Sequence, residues 1–459
     1  MKKNIYSCIF REKNLHKKYN PAIILHIQEV KGGFVMIIEI RVKNCFAFDQ
    51  QVVFSMKADM RSKKFGTNVY CESPVNILKV AGIYGANNAG KTCLIKCIEA
   101  IKSIMGNGEP KLRSNMFIEN SICELGITFL FEGEVYSYDF KYDVDKKEYI
   151  YEKFLKIMKD QYRNEKEEVW LSKDTKKQYY YSKDKNIEEM IPLFSHSKPL
   201  CYSVDTKWFE NLAKMKRVIM TFGSRIDIVN MNNIPIQKTI ELMKNKNDLQ
   251  EKVVDFIKNA DLYMENFEYV EGAQIAIKSG DENEKAEEKA LDIPELQLEQ
   301  MRLVSTYKGV HVPSMIFDST GTKKISALAG YIIKALEAGR MLIVDELDSS
   351  IHFKLTRAIV AMFNNELNVK GQLIFTVHDI NLMDCKRLFR KEQIWFVHKD
   401  DSGVYLYSLG DFTAAQGVRD TTDVIEKYKK GILGALPEPE LINTLLEING
   451  NRWEEEDDE

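Results

Sequence analysis

The chain has 459 residues, which is enough for two or three domains with cores of their own. Its apolar fraction of 44% and charged fraction of 29% are those of an ordinary globular protein, and its net charge of −3 argues against a protein that coats nucleic acid by charge alone. Because no apolar run approaches the roughly 18 residues of a membrane span and the eight cysteines are scattered, we expect a cytoplasmic protein with no membrane partner.

Residues 1–35 precede the first clear strand, which begins MIIEIRVKNCFAF at Met36. The Lys-Gly-Gly just before it can be encoded as AAAGGAGG, a bacterial ribosome-binding sequence at a suitable distance from a start codon for Met36. One hypothesis is therefore that residues 1–35 are a translated leader and that Met36 is the native start. The alternative is a genuine N-terminal extension, and a search for N-terminal peptides in the native protein would decide between the two.

The first part of the chain reads as strands around one helix. Residues 36–55 alternate apolar and polar side chains, as a strand pair with a bend at NCFAFDQQ does, and the apolar run at 77–85 is typical of a buried parallel strand. Apolar residues at helical spacing predict a helix over 91–105 that ends at Gly106. Aromatic and β-branched runs separated by turn residues predict an antiparallel meander over about 122–182.

From about residue 186 to 266 the apolar spacing becomes helical and predicts an inserted helical arm. The charged stretch at 278–290 is predicted to be a solvated loop, and strand patterns resume at QMRLVSTYKG. The last third contains two predicted helices, GTKKISALAGYIIKALEAG and HFKLTRAIVAMFNNE, and two predicted buried strands, RMLIVDE and GQLIFTVHD. A predicted hairpin, QIWFVHKDDSGVYLYSL, follows and turns at 400–403. This alternation predicts a parallel α/β core, and the EEEDDE end predicts a solvated tail.

The segment between the apolar strand and the first helix has the spacing of a phosphate-binding loop, Gly-x4-Gly-Lys-Thr. Its backbone N–H groups can surround phosphates at a helix start, where glycines permit close approach and the helix terminus favours anions. The lysine would supply a positive charge to the β- and γ-phosphates, and the threonine hydroxyl would bind Mg²⁺. We therefore predict that ATP is bound by Gly85, Ala86, Asn87, Asn88, Ala89, Gly90, Lys91, Thr92 and Cys93.

The sequence MLIVDELDSSIH contains the natural acidic partner of that loop. Four apolar residues lead Asp345 to the end of a predicted strand, where its carboxylate would hold Mg²⁺, usually through water. Glu346 follows directly, and a carboxylate there can orient and polarise the attacking water as a general base. Asp348 lies two residues further on, where a dimer-contact loop is expected.

Two further patterns fit a nucleotide site. His378 ends the apolar strand LIFTVHD, where it can bond the γ-phosphate, although a strand-end histidine alone is more often structural. In FDSTGTKKISALAG, the residues Ser319, Thr320 and Gly321 open a helix and make a second potential anion site. Either the serine is an N-cap without a ligand, or this helix faces the γ-phosphate bound by a second copy of the chain.

Together these motifs resemble the head of an ABC-type ATPase, with a degenerate signature at 318–322 and a Walker B strand at 342–346. More narrowly, IEIRVKNCFAF, GANNAGKT and DSTGT are similar to AAA-family, ABC-like ATPases of the OLD, RecF and SMC-related group, including those of bacterial abortive-infection and PARIS-type phage-defence operons. The resemblance implies a role for each motif residue: catalysis by Lys91, Glu346 and His378, Mg²⁺ binding by Thr92 and Asp345, and contact in trans by Ser319 and Gly321.

The fold implied is a P-loop NTPase of the ABC-ATPase type, with a mixed core sheet, an antiparallel β lobe and an inserted helical arm. Its expected parts are an ATPase lobe at 36–182, a helical insertion at 183–266, a second ATPase lobe at 267–435 and an acidic tail at 436–459. Two departures weaken the match. The signature lacks the leucine and second glycine of the transporter sequence LSGGQ, and no Q-loop glutamine is evident after the first helix.

Several functions fit these motifs. The first is an ATPase that forms a homodimer or a higher homo-oligomer with ATP and serves as the sensor or scaffold of antiviral defence, with a separate effector protein. The second is an intrinsic nuclease like that of OLD proteins, for which YDVDKK offers only Asp143 and Asp145 as metal-binding acids. The third is a RecF-like ATPase of DNA repair or chromosomes that binds DNA. Glu346 disfavours a scaffold that binds ATP without cleaving it.

Overall fold

The computed structural model describes most of the chain between residues 35 and 436. The described residues are 35–71, 75–159, 164–185, 187–245, 248–260, 263–271, 295–419, 422–436, 441, 444, 445 and 448. The predicted extension before Val35, the solvated loop predicted at 278–290 and most of the predicted acidic tail therefore lie outside the described residues.

The strands of the described part of the chain are numbered in chain order. They are β1 Val35–Lys43, β2 Val52–Ser55, β3 Val69–Tyr70, β4 Ile77–Leu78, β5 Val80–Tyr84, β6 Ile122–Phe131, β7 Glu134–Asp143, β8 Glu148–Lys159, β9 Glu165–Asp174, β10 Tyr179–Ser182, β11 Ile226–Asn230, β12 Asn266–Tyr269, β13 Leu303–Tyr307, β14 Val310–Pro313, β15 Met341–Asp345, β16 Gln372–Thr376, β17 Ile394–Asp400 and β18 Gly403–Ser408.

The α-helices of the same residues are numbered in the same way. They are α1 Lys91–Asn107, α2 Leu200–Ser203, α3 Glu210–Ser224, α4 Gln237–Lys244, α5 Asp248–Asn259, α6 Glu295–Met301, α7 Ser314–Phe317, α8 Thr320–Ala338, α9 Phe353–Asn364 and α10 Val424–Lys429. None of these helices is long and apolar enough to cross a membrane.

Two large sheets organise the molecule. An antiparallel seven-stranded sheet has the order β10-β9-β8-β7-β6-β1-β2. A six-stranded core sheet has the order β11-β15-β16-β5-β17-β18, in which every neighbouring pair is parallel except the antiparallel pair of β17 and β18. Smaller sheets of β12-β13-β14 and β3-β4 complete the described strands. The nonconsecutive order of the core strands is that of a crossover α/β sheet.

The core sheet is covered on both faces, which explains why its parallel strands are apolar throughout. On one face, Ile83 and Ile343 share a buried cluster with side chains of α1 and of the antiparallel sheet. On the other face, Leu342 and Phe375 pack with side chains of α8 and α9. The result is a layered arrangement in which the core sheet lies between the antiparallel sheet with α1 and the pair of helices α8 and α9.

Parallel strands bring their carboxyl ends to one edge of the core sheet. The adjacent strands β11, β15, β16 and β5 end at Asn230, Asp345, Thr376 and Tyr84, and the phosphate-binding loop follows the last of these. Residues that are up to 292 positions apart in the sequence therefore meet at this edge. In open α/β sheets, this is the edge at which ligands bind.

The α/β fold class with a mixed core sheet and an antiparallel β lobe is confirmed. The strand pair, the five-stranded meander and the final hairpin lie where the sequence predicts them. Two predictions were wrong in detail. Helix α1 continues past Gly106 to Asn107 and ends where Gly108 adopts a left-handed conformation with a φ of 77°. The segment predicted as helical at 186–266 also contains β11, which pairs in parallel with β15 as a strand of the core sheet.

Candidate active site

The phosphate-binding loop joins β5 to α1 and has the backbone that its glycines permit. Gly85 and Gly90 have φ angles of 150° and 118°, and Asn88 has a left-handed φ of 61°. A Cβ atom on Gly85 would lie 2.3 Å from the carbonyl oxygen of Val397 in β17, so no larger residue fits there. Because α1 begins at Lys91, its free N–H groups face the loop and make this helix start suitable for phosphate.

Lys91 is buried beneath the loop. Its Nζ donates hydrogen bonds to the carbonyl oxygens of Gly85 at 2.7 Å and Ala86 at 2.9 Å. Burial lowers the pKa of Lys91 from its ordinary value, and nearby carboxylates, of which Asp345 is the foremost, oppose that shift. The ammonium group is therefore held close to the backbone that would surround the phosphates.

Thr92 and Asp345 come together from the two motifs. The Thr92 hydroxyl lies 3.1 Å from Asp345 Oδ2, although 253 positions separate the two residues. Asp345 also accepts hydrogen bonds from Thr376 Oγ1 at 2.6 Å and Asn230 Nδ2 at 3.1 Å. A hydroxyl beside a carboxylate is the oxygen donor set that Mg²⁺ takes next to nucleotide phosphates, so the residues present fit this ion.

Glu346 extends from the same strand end with a left-handed φ of 59°. Its backbone N–H donates to Thr376 Oγ1 at 2.7 Å, and its Oε2 accepts a hydrogen bond from Asn232 Nδ2 at 2.5 Å. This uncommon backbone conformation lies where the chain turns from the Walker B strand towards the site. Glu346 is only partly buried.

Asp348 connects the Walker B turn to the strand-end histidine. Its Oδ2 accepts hydrogen bonds from the backbone N–H groups of His378 at 2.9 Å and Asp379 at 2.8 Å. His378 itself is exposed at the end of β16. The dimer-contact role expected for Asp348 stays a prediction, and its described contacts are within the chain.

The signature segment opens α8 as predicted. The Ser319 side chain accepts a hydrogen bond from the Thr322 backbone N–H at 3.1 Å, so Ser319 is an N-cap. A Cβ atom on Gly321 would lie 2.8 Å from the carbonyl oxygen of Ser350, so α8 touches the loop after the Walker B strand. The described hydrogen bonds of Ser319 stay within this first turn, and a role in trans for Ser319 and Gly321 stays a prediction.

The remaining residues of the predicted ATP site form the rest of the loop. Asn87 and Asn88 are exposed, whereas Ala89 is buried. Cys93 is partly buried and packs against the hydrophobic core together with Ala86. Their contact with nucleotide stays a prediction.

One family model matches about two thirds of the chain. The family model described as "AAA domain, putative AbiEii toxin, Type IV TA system" matches residues 80–384, a range that contains both nucleotide motifs, the signature segment and His378. The chain belongs to this AAA-domain family. The matched range also contains the edge of the core sheet at which the motif residues meet.

Solved structures that the chain resembles are heads of SMC proteins. The SMC head domain from Thermotoga maritima is 11% identical with a TM-score of 0.37, and the match covers 81% of this chain and 98% of that one. An SMC head bound to the C-terminal winged-helix domain of ScpA is 11% identical with a TM-score of 0.42, and the match covers 83% of this chain and 99% of that one. The third structure is an SMC head with an extended coiled coil, bound to the C-terminal domain of ScpA derived from Pyrococcus furiosus. It is 13% identical with a TM-score of 0.39, and the match covers 86% of this chain and 100% of that one. No curated protein matches the chain.

Three residues of this AAA-domain site were missed from the sequence. Asn230 is the last residue of the short strand β11, and Asn232 lies two residues beyond it. Thr376 is the last residue of β16, two positions before His378. The run IDIVNMNN carries a usable signal, because a short apolar strand that ends in polar residues is typical of strands whose ends line a site. This signal was masked by the helical patterns on either side.

Asp143, one of the two acids considered for a nuclease, stabilises a turn. Asp143 ends β7, and its Oδ1 accepts hydrogen bonds from Ser121 Oγ and from the backbone N–H groups of Asp145 and Lys146. This carboxylate stabilises the turn between β7 and β8. Across the described ranges, no group of three or more histidines, cysteines or acids is arranged to hold a metal ion.

Proposed function

We propose that this protein binds ATP with Mg²⁺ and hydrolyses it to ADP and phosphate. The observation that carries the proposal is the contact of 3.1 Å between the Thr92 hydroxyl and the Asp345 carboxylate, at the start of α1 and beside the buried Lys91. Lys91 would contact the β- and γ-phosphates, and Thr92 and Asp345 would hold the Mg²⁺ that neutralises charge as the terminal phosphate leaves.

Glu346 is the general base in this proposal, and His378 contacts the γ-phosphate. The carboxylate of Glu346 lies one residue beyond Asp345, so it is close to the ion without being needed as its ligand. Its partial exposure leaves room for the attacking water. A positioned general base typically contributes about 10²–10⁴-fold to the rate.

The proposed active form is a dimer that encloses ATP between two copies. Ser319 and Gly321 open a helix of 19 residues, and the N-terminus of a helix of this length favours the γ-phosphate of the second copy. Next to it, Ile316 and Phe317 are 56% and 65% exposed, which is an apolar surface that a second copy would cover. ATP binding would close the dimer and hydrolysis would reopen it.

The proposed biological role is that of a sensor or scaffold ATPase in antiviral defence, which acts with a separate effector protein. The family's description as a putative AbiEii toxin of a type IV system supports this role, as do the motif resemblances to abortive-infection ATPases. The role depends on family likeness and not on the geometry of the site.

The test combines ATP turnover with the mass of the Glu346→Gln protein, measured by light scattering with and without ATP and Mg²⁺. We expect the wild-type protein to hydrolyse ATP, and Glu346→Gln to lose about 10²–10⁴-fold in turnover. We also expect the variant to double in mass only when ATP and Mg²⁺ are present. Normal turnover by Glu346→Gln would exclude the general-base assignment, and an unchanged mass would exclude the ATP-dependent dimer.

A further inference from the structure

Asn232 contacts the proposed general base from outside the predicted motifs. It lies two residues beyond the end of β11, and its exposed side chain donates a hydrogen bond of 2.5 Å from Nδ2 to Glu346 Oε2. Charge-assisted hydrogen bonds of this kind are short and fix the orientation of the acceptor. The carboxylate of Glu346 is therefore held by a residue of the turn that follows the neighbouring core strand.

The amide of Asn232 has only one orientation that satisfies its neighbours. Its Oδ1 accepts a hydrogen bond of 2.9 Å from Ser349 Oγ, while its Nδ2 donates to Glu346. A reversed amide would set its oxygen against the Glu346 carboxylate. The backbone N–H of Asn232 donates to Asn230 Oδ1 at 2.8 Å, and Asn230 in turn donates to Asp345. The two asparagines thus connect both acids of the Walker B strand to the end of β11.

Ser349 is itself held by the signature helix. Lys324 of α8 donates from Nζ to Ser349 Oγ at 3.2 Å and to Ser350 Oγ at 3.0 Å. Gly321 at the start of that helix packs against the Ser350 carbonyl oxygen. A continuous set of contacts therefore joins the helix that would face a second copy to the general base of the same chain.

We propose that Asn232 is a positioning residue for ATP hydrolysis, which orients the Glu346 carboxylate towards the attacking water. This inference rests on the proposed ATPase function. The amide hydrogen bond to Oε2 sets the rotation of the carboxylate, and we assign Oε1 as the oxygen that accepts the proton of the water. Because a general base must lie within hydrogen-bonding reach of that proton, a carboxylate free to rotate spends less time in the productive geometry.

The experiment compares Asn232→Ala with Asn232→Asp and with Asn233→Ala as the matched control, since Asn233 is the next residue and is also exposed. We expect Asn232→Ala to lower kcat about tenfold with the KM for ATP nearly unchanged, because it removes part of what the general base contributes. Asn232→Asp keeps the shape of the side chain but sets a second negative charge against Glu346, so its kcat should fall further. Asn233→Ala should behave like the wild-type protein.

A double variant separates positioning from a general structural effect. If Asn232 acts through Glu346, Asn232→Ala should lower kcat in the wild-type background and have almost no further effect in the Glu346→Gln background. An equal loss in both backgrounds would overturn the proposal, as would an unchanged or raised kcat in Asn232→Ala. A wild-type protein without ATP turnover would overturn the ATPase function and this inference together, whereas turnover that depends on Glu346 but not on Asn232 would overturn this inference alone.

Discussion

Lys91 gives the sharpest prediction at the scale of single residues. Its ammonium group is buried and bonded to two carbonyl groups of the loop, and burial lowers its pKa. Phosphate oxygens would provide the negative charge that best stabilises this group. We expect Lys91→Ala to weaken the binding of a fluorescent ATP analogue at least about a hundredfold, which corresponds to about 3 kcal/mol.

The control for this measurement is Lys96→Ala, which removes an exposed lysine from the same helix. It lowers the charge of the protein equally but leaves the loop intact, so its affinity should match that of the wild-type protein. Equal affinities for Lys91→Ala and Lys96→Ala would mean that nucleotide does not bind at this loop.

The sequence predicts those site residues that belong to a short contiguous motif. Lys91 and Thr92 belong to one loop, and Asp345 follows one apolar strand directly. Asn232 and Thr376 could not be predicted in the same way, because they join the site only through the order of the strands. That order places β11 beside β15 and β15 beside β16, and it depends on tertiary packing that no local pattern reports.

At the scale of elements, the two errors of the sequence analysis have different physical causes. The sequence predicts that α1 ends at Gly106, but a glycine ends a helix when it adopts a left-handed conformation, and Gly108 is the residue that does so. Strand β11 has only five residues and lies between helices, so the helical period of its neighbours dominates the pattern. Its identity as a strand comes from pairing with β15.

Gly321 allows a prediction about the contact between α8 and the loop after β15. An alanine there would press its Cβ against the Ser350 carbonyl oxygen at 2.8 Å, so one of the two elements must move. We expect Gly321→Ala to lower ATP turnover about tenfold at saturating ATP, because the loop also carries Ser349 and lies beside the proposed general base, Glu346. A single chain of the Gly321→Ala protein should still bind the ATP analogue.

The matched control is Gly106→Ala in α1, where an added Cβ meets no atom within 4 Å. This substitution replaces a helical glycine with a better helix former and should raise the free energy of unfolding by about 0.5–1 kcal/mol. If both alanine variants keep full turnover, the contact between α8 and the loop does not matter for hydrolysis.

Lys79, which directly precedes β5, predicts how stability depends on pH. Its side chain is 4% exposed, and burial lowers its pKa to about 8, while Nζ donates to the Asn365 carbonyl oxygen at 2.9 Å. In the unfolded chain this lysine has its ordinary pKa, so between about pH 8 and 10.4 the unfolded state binds more protons and stability rises with pH. Below pH 8 the full penalty for the buried charge is present.

We therefore expect Lys79→Met to be more stable than the wild-type protein by about 2–3 kcal/mol at pH 7, with an advantage that shrinks as the pH approaches 10. Urea unfolding at pH 7, 8.5 and 10 measures this difference. Lys176→Met replaces an exposed lysine and should show no such trend. A constant difference across this pH range would mean that Lys79 stays charged in the folded protein.

At the scale of the whole molecule, one buried amide joins the two large sheets. Gln372 in β16 accepts a hydrogen bond from the Ile37 backbone N–H at 2.8 Å and donates to the carbonyl oxygens of Ile37 at 2.9 Å and Leu78 at 3.1 Å. Because an unpaired amide in this core would be costly, the hydrogen bonds fix the antiparallel sheet relative to the core sheet. Closure around ATP is therefore expected to move whole copies against each other, and not these two sheets.

If ATP is enclosed between two rigid copies, two variants that are each impaired in a different part of the site should restore turnover when they are mixed. A Lys91→Ala chain keeps its signature helix, and a Gly321→Ala chain keeps its phosphate-binding loop. If each site uses the loop of one copy and the signature of the other, and Gly321→Ala impairs the signature and not the loop after β15 of its own chain, a mixed dimer contains one site with both parts intact. Random pairing of equal amounts should then recover about one quarter of the wild-type turnover per chain, above the sum of the separate variants. Turnover equal to that sum would mean that Ser319 and Gly321 act only within their own chain, as the N-cap and packing contact of α8.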